Sequence, residues 1–156
     1  MKRPRADLDV LMRRLGTDLA LDFPGPSGWW EEADLAVSRR LGKHDVAVVA
    51  GLNAADQLLV NRLKTRRGEL AALGHPEYGS RHHELIGEPN TERTRNLIKL
   101  HVLACLGHEP RIAEVLSCSV TADPRPRETV RIVITVRLIN EDAPRNLVVP
   151  FSLEVA

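Results

Sequence analysis

The chain has 156 residues, of which 43% are hydrophobic, and this length and apolar content suit one domain with its own core. Its 22 basic residues balance 21 acidic ones, which argues against a nucleic acid as the main partner because no excess of cations is available for phosphates. No apolar run approaches the roughly 18 residues of a membrane span, and two cysteines are too few for a disulfide framework or a zinc site.

Residues 1–44 are predicted to form an irregular arm in front of a domain that spans residues 45–156. Within the arm, residues 7–15 suit a short helix and Leu19-Ala20-Leu21 a short strand. The stretch that follows holds two prolines and two glycines, which exclude regular structure: Phe23-Pro24-Gly25-Pro26-Ser27-Gly28-Trp29-Trp30. Its two tryptophans either anchor a partner or fold back over the domain's own core.

The first long helix is expected after a short buried strand at residues 46–50. Asn53 is a candidate N-cap, and apolar residues recur at helical spacing up to about Thr65. Gly68 suits the C-terminal end of this helix. Residues 74–90 contain several glycines and prolines, which indicates a long, ordered connection.

A second helix is predicted from about Thr91 to Leu106, with Asn90 or Thr91 as its cap. Its first half is polar, whereas its second half is apolar nearly all round and is therefore expected to be buried on several sides. Gly107 is expected at the position directly after the helix, where glycine commonly adopts a left-handed conformation.

The C-terminal third is predicted to be a β-meander. Residues 112–120 alternate loosely, whereas residues 130–138 and 147–155 alternate strictly between apolar and other side chains. Short, turn-rich connections join the three segments, so they should pair as antiparallel neighbours. The predicted fold class is therefore α+β, with two main helices packed on a small, mostly antiparallel sheet.

Motifs for metal binding and nucleophilic catalysis are absent from the sequence. His82-His83-Glu84 is a cluster, but side chains on adjacent residues rarely face one metal ion. Cys105 falls in the apolar part of the second helix, where a thiol is poorly placed to react. Neither a metal nor another cofactor is expected.

Paired carboxylates offer an enzymatic alternative. Glu77, together with Glu84 or Glu88, lies in a polar connection, and a glycan or peptidoglycan hydrolase needs two carboxyl groups, one of which has a raised pKa. Carboxylates in a solvated loop have the same appearance in sequence. A second alternative is a generic adaptor that binds a partner through Trp29 and Trp30.

The segment Glu109-Pro110-Arg111 connects the second helix to the first strand of the meander. Pro110 fixes its own φ and keeps Glu109 out of the helical region, so the two charged side chains are held in a defined relation. They either form a local ion pair that finishes the helix or present a rigid charged surface to a partner.

An ordered series of motifs resembles one protein family, the baseplate wedge and sheath-initiator proteins of contractile phage tails. Relatives of this family occur in type VI secretion and in phage-tail-like contractile injection systems. The motifs are Gly51-Leu52-Asn53, the segment Asn61 to Leu70, His75-Pro76-Glu77-Tyr78-Gly79-Ser80, Leu85-Ile86-Gly87, Glu109-Pro110-Arg111 and Val149-Pro150-Phe151-Ser152-Leu153. The resemblance covers roughly residues 45–156.

This resemblance implies a structural role without enzymatic activity. Such proteins join the wedge of a sixfold baseplate to its tube-proximal part and template the first ring of the sheath. The implied partners are the sheath subunit, the larger wedge subunits and the inner tube or hub proteins, with several copies of the chain in each particle. Assembly is expected in the cytoplasm, and neither a nucleic acid nor a membrane is an expected partner.

Two surfaces are the candidate interfaces. Glu109, Pro110 and Arg111 are expected to contact a wedge subunit. The last strand is expected to turn Leu147, Val149, Phe151, Leu153 and Val155 toward the core. Its free edge should then pair with a strand of the sheath subunit, and Pro150 suits an edge because it lacks an N–H donor. The sheath-facing residues are Val148, Pro150, Ser152 and Glu154.

Overall fold

The computed structural model describes residues 15–23, 33–40 and 43–155. These residues belong to two compact units, one of which ends at Leu58 while the other begins at Leu59. The predicted boundary between residues 44 and 45 stays a prediction. Trp29 and Trp30, and all of the predicted helix 7–15 except Leu15, lie outside the described residues. No helix of the described part is long and apolar enough to cross a bilayer.

The described residues of the first unit include six short strands that pair as three antiparallel ribbons. The strands are β1 (Thr17–Leu19), β2 (Leu21–Asp22), β3 (Asp34–Leu35), β4 (Val37–Arg40), β5 (Lys43–Val46) and β6 (Val48–Ala50). β1 pairs with β6, β2 with β3, and β4 with β5. The predicted strands at residues 19–21 and 46–50 are each interrupted by an alanine, because the chain changes its pairing partner at Ala20 and at Ala47.

Helix α1 spans Leu52–Lys64 and confirms the first predicted helix. It starts two residues earlier than expected, so Asn53 lies inside its first turn and is not the cap. Leu59, Val60 and Leu63 form part of its buried face. Gly68 has a φ of +86° but lies beyond Thr65, whose N–H makes the last bond to the helix, at Asn61. Gly68 therefore belongs to the following turn and does not end the helix.

The connection between the helices is ordered, as predicted. The segment that follows α1 and the one around Ser80 are bridged in parallel, since Ser80 donates to the Thr65 carbonyl at 2.9 Å and accepts from Arg67 at 3.2 Å. Two short 3-10 helices complete the connection, at Ala71–Leu73 and Arg81–Leu85.

Helix α2 spans Glu92–Leu106, and the Thr91 side chain accepts a hydrogen bond from the Thr94 N–H at 3.2 Å, which confirms the predicted cap. Ile98, Val102 and Leu106 are fully buried, but Leu100 and Leu103 are 59% and 36% exposed. The expectation that the second half of this helix is buried on several sides is therefore wrong, since only one face of the helix packs on the fold. Gly107 directly follows the helix as predicted, but its φ of −62° is right-handed and not the left-handed conformation common for glycine at such a position. The chain continues with right-handed turns, in which the N–H groups of Gly107 and Glu109 donate to Leu103 and Leu106.

The C-terminal meander is confirmed, and with it the α+β class. Strands β7 (Ile112–Ala122), β8 (Thr129–Leu138) and β9 (Arg145–Ser152) form an antiparallel sheet in that order. The alternating residues of β8 are completely buried: Val130, Ile132, Ile134, Val136 and Leu138. Helix α2 packs against β7. The expected hairpin has Ile132 opposite Val149.

Candidate protein-interaction site

Glu109 is buried, and its carboxylate is held by charges of its own chain. Only 5% of the residue is exposed. Its Oε2 lies 3.1 Å from Nη2 of Arg62 on helix α1, and its Oε1 lies 3.8 Å from Nε of Arg111. The Arg111 N–H also donates to Glu109 Oε1 at 3.2 Å. The carboxylate therefore fixes the start of the meander to α1, because a buried charge requires such partners.

Arg62 is the residue at this site that sequence reasoning missed. Its guanidinium lies 4.6 Å from the ring centre of Tyr78 and is largely buried. Burial raises the pKa of Tyr78, so its ring stays neutral and presents its face to the cation. The sequence did contain a signal for Arg62, because this arginine follows the buried Leu59 by one turn on the apolar face of a helix. A charged side chain in such a position needs a partner.

Arg111 is the charged residue of the motif that solvent can reach. About a third of its side chain is exposed, and Pro110 beside it is exposed as well. The backbone around them is fixed, because Ile139 donates to the Arg111 carbonyl at 2.9 Å and Ile112 donates to the Glu109 carbonyl at 3.1 Å. Arg111 is thus presented from a rigid position, and the wedge contact of Glu109, Pro110 and Arg111 stays a prediction.

Along β9, the backbone N–H and C=O groups of successive residues point alternately toward β8 and toward the outer edge of the sheet. The Leu153 N–H donates across to the Glu128 carbonyl at 2.9 Å, whereas the Thr129 N–H, opposite Ser152, donates to Pro126 instead. Because hydrogen-bonding direction alternates along an antiparallel strand, Phe151 and Val149 turn their backbone groups to β8. The residues between them turn theirs away from β8.

Those alternate residues are Val148, Pro150 and Ser152, three of the four predicted for the sheath contact. β8 is the one strand of the described residues that pairs with β9. Pro150 lies where an N–H would point to the outer edge, so its missing donor costs the sheet nothing. Glu154 lies beyond the end of the strand and is exposed. The contact of all four residues with a sheath subunit stays a prediction.

The predicted core face of β9 is confirmed for all but one residue. Leu147, Val149, Phe151 and Leu153 are at most 5% exposed. Val155 is 70% exposed, so its predicted core position is wrong. The strand ends at Ser152, and the Leu153 carbonyl accepts from Gly87 at 2.8 Å, which takes the chain out of the sheet before Val155.

Two of the three carboxylates considered for catalysis form ion pairs with arginines. Glu77 forms an ion pair with Arg67, and Glu84 accepts two hydrogen bonds from Arg81, at 2.8 and 2.9 Å. The bonds from Arg81 hold the pKa of Glu84 below its ordinary value. A general acid of a glycosidase needs the opposite shift. Glu88 lines a cleft of about 620 Å³ at the β7–β8 turn.

The paired histidines are part of the packing against β9. The rings of His82 and His83 stack at 4.3 Å, and both meet the Phe151 ring edge-on. His82 Nδ1 lies 2.8 Å from Ser80 Oγ, and burial lowers the pKa of His82 to about 3. Within residues 15–23, 33–40 and 43–155, no three potential metal ligands come together. Burial also raises the pKa of the Cys105 thiol, as its predicted position in α2 implied.

The described residues thus form an α+β fold with the charged motif on a fixed turn and with a last strand, β9, that pairs among them with β8 alone. The sequence profile of the baseplate wedge protein gp25 family matches residues 51–143. The chain belongs to this family. The match includes Glu109, Pro110 and Arg111, and it ends before β9.

A solved structure supports the same relationship. The chain is similar to a crystal structure from Geobacter sulfurreducens that carries the provisional label of a tail lysozyme. The two are 27% identical with a TM-score of 0.56, and the similarity covers 65% of this chain and 89% of that one. No curated protein matched. The chain is therefore a structural baseplate protein of the kind found in contractile tails, which associates with other baseplate components.

Proposed function

We propose that the chain joins the wedge to the tube-proximal part of the baseplate and templates the first sheath ring by strand exchange. The observation that carries this proposal is the outer edge of β9, where alternate backbone groups point away from the sheet. An extended segment of a sheath subunit that pairs there gains main-chain hydrogen bonds, and the alternation of side chains sets its register. A paired strand of this kind can also transmit mechanical force between the two proteins, because many hydrogen bonds share the load.

The wedge contact is assigned to Arg111. Its guanidinium belongs to a side chain that is about a third exposed and suits a bidentate bond to a carboxylate of a larger wedge subunit, and the buried Glu109 keeps its position constant. Several copies in a sixfold assembly then contact wedge, sheath and inner tube or hub proteins at once. Assembly takes place in the cytoplasm before the chain becomes part of the particle.

Ser152→Pro tests the strand exchange by removing a single backbone N–H group from the outer edge of β9. The Ser152 N–H points to the outer edge, so proline removes a donor for the partner while the bonds between β9 and β8 remain. The variant should stay soluble with an unchanged circular dichroism spectrum, yet produce particles that have a tube and no extended sheath by electron microscopy. Ser152→Ala, which loses the hydroxyl and keeps the N–H, should assemble normally. Sheaths of normal length on the proline variant would refute the proposal.

The label of the related structure raises a second candidate, a peptidoglycan hydrolase. The pairing of Glu77 with Arg67 and of Glu84 with Arg81 favours a role without catalysis, because both arginines stabilise the ionised carboxylates. We therefore assign no catalytic residue and no cofactor to the chain.

A further inference from the structure

The three ribbons of the first unit meet at a ring of three alanines. The Ala20 N–H donates to the Ala47 carbonyl at 2.9 Å, Ala47 donates to Ala36 at 2.8 Å, and Ala36 donates to Ala20 at 2.8 Å. Each alanine stands between two branched aliphatic residues: Leu19-Ala20-Leu21, Leu35-Ala36-Val37 and Val46-Ala47-Val48. One local pattern therefore occurs three times around one closed cycle of hydrogen bonds.

The aliphatic residues that flank the ring form three cross-strand pairs. Leu19 is opposite Val48, Leu21 is opposite Leu35, and Val37 is opposite Val46. Directly opposite residues share a face of an antiparallel pair, and so do the two neighbours of one residue in an extended chain. All six side chains accordingly lie on one side of the junction, which we call the aliphatic face.

The aliphatic face is exposed to solvent. Five of its six residues are between 42% and 63% exposed: Leu19, Leu35, Val37, Val46 and Val48. Contiguous apolar surface of this kind is uncommon on a soluble monomer and usually marks a contact with another molecule.

The exposed carboxylates of these ribbons lie on one face of the junction, opposite the aliphatic face, and that acidic face also carries Lys43. The cross-strand pairs of the opposite face contain four exposed aspartates, Asp18, Asp22, Asp34 and Asp45. On the aliphatic face, the next pair along the β4–β5 ribbon is Arg39 with His44. The aliphatic face thus borders a cation, and the carboxylates of these ribbons point the other way.

We infer that the aliphatic face is a docking site for an apolar segment of another protein that carries a carboxylate to pair with Arg39. A second copy of this chain is a poor occupant, because its own aliphatic face offers Arg39 another cation. Its acidic face has carboxylates but no aliphatic cross-strand pair. The site lies outside residues 51–143 and is independent of the strand exchange at β9.

Binding is tested with overlapping 15-residue peptides that cover the sheath and wedge proteins of the same particle. The variant carries Val37→Thr and Val48→Thr, which keep the side-chain shape and the β-propensity. Val155→Thr is the matched control, since Val155 is 70% exposed and lies in the other unit. We expect the best peptide to contain both aliphatic and acidic residues, to bind the double variant roughly tenfold more weakly and to bind the control unchanged.

Charge reversal then tests the partner's carboxylate. Arg39→Glu should weaken the best peptide, and a peptide with lysine in place of its acidic residue should recover that binding. The inference is overturned if no peptide depends on the two valines. It is also overturned if sedimentation shows a dimer of the wild-type chain that the double variant dissociates, because the occupant is then a second copy. Sheath length in the Ser152→Pro particles bears on β9 alone, so the two failures are distinguishable.

Discussion

Glu109 and Arg111 are two residues apart, and the structure gives them different roles. Glu109 is enclosed with Arg62 beneath the surface, whereas Arg111 reaches solvent. Removing one member of a buried ion pair leaves an unpaired charge, which costs several kcal/mol, while an exposed pair contributes little. The motif therefore combines a residue that stabilises the fold with one that is available to a partner.

Glu109→Ala should lower the free energy of unfolding by about 3 kcal/mol, because Arg62 then remains buried without its carboxylate. Arg111→Ala should change it by less than about 1 kcal/mol and yet prevent incorporation into baseplates. Urea titrations measure the first quantity, and co-sedimentation with assembled baseplates measures the second. If Arg111→Ala unfolds the isolated chain, the motif is an internal ion pair and the proposed wedge contact is wrong.

His82 should make the fold sensitive to acid. Its pKa falls from the ordinary 6.5 to about 3 because the ring is buried, with further contributions from the adjacent His83 and His101. Ser80 Oγ and the Phe151 ring complete its surroundings. The unfolded chain binds a proton below pH 6.5 that the folded chain does not bind until about pH 3, so stability declines as the pH falls through this window.

The free energy of unfolding should therefore be about 2 kcal/mol lower at pH 5 than at pH 7, on account of His82 alone. His82→Phe, which keeps a ring against Phe151, should remove most of that difference. Urea titrations of both proteins at the two pH values provide the measurement. An equal pH dependence in the variant would show that other groups govern the acid response.

Among the connecting elements, the segment between the helices depends on a glycine. Gly79 has a φ of +96°, and a Cβ there would lie 2.6 Å from the Thr65 carbonyl, within the bridge that joins residues 65–67 to Ser80. Gly74 has a φ of +87° with nothing within 4 Å of a Cβ. A side chain at either Gly74 or Gly79 would have to adopt an unfavourable left-handed backbone. Only at Gly79 would it also clash with neighbouring backbone atoms.

Gly74→Ala should destabilise the fold by about 1 kcal/mol, the cost of a left-handed backbone for alanine. Gly79→Ala should cost about 3 kcal/mol or more, because backbone atoms must also move. Thermal unfolding of both variants measures the difference. If both variants lost the same stability, the backbone bridge at Ser80 would be able to move aside without a free-energy cost.

For the whole molecule, the distinction between a structural component and an enzyme is open to one direct assay. The purified chain should not clear peptidoglycan, because Glu77 is paired with Arg67 and the bonds from Arg81 lower the pKa of Glu84, whereas a general acid needs a raised pKa. A turbidity assay with an established lysozyme as positive control measures this. Clearing by the wild-type chain that Glu77→Gln abolishes, with unchanged circular dichroism, would establish the hydrolase instead.

Local periodicity in the sequence was enough to predict both helices, the Thr91 cap, the three C-terminal strands and the core face of β9. Each of these depends on residues within a few positions of one another, as the strict alternation of β8 shows. Glu109, Pro110 and Arg111 could likewise be singled out from the sequence, together with the family to which they belong.

Only the tertiary structure decided which groups meet. Arg62 reaches Glu109, and His82 reaches Phe151, across long intervals of the chain, and spacing alone does not encode such contacts. The strands of the first unit have two to four residues each, which is too short for a periodic signal. Their meeting at three alanines, and with it the aliphatic face, follows from hydrogen bonds between distant segments.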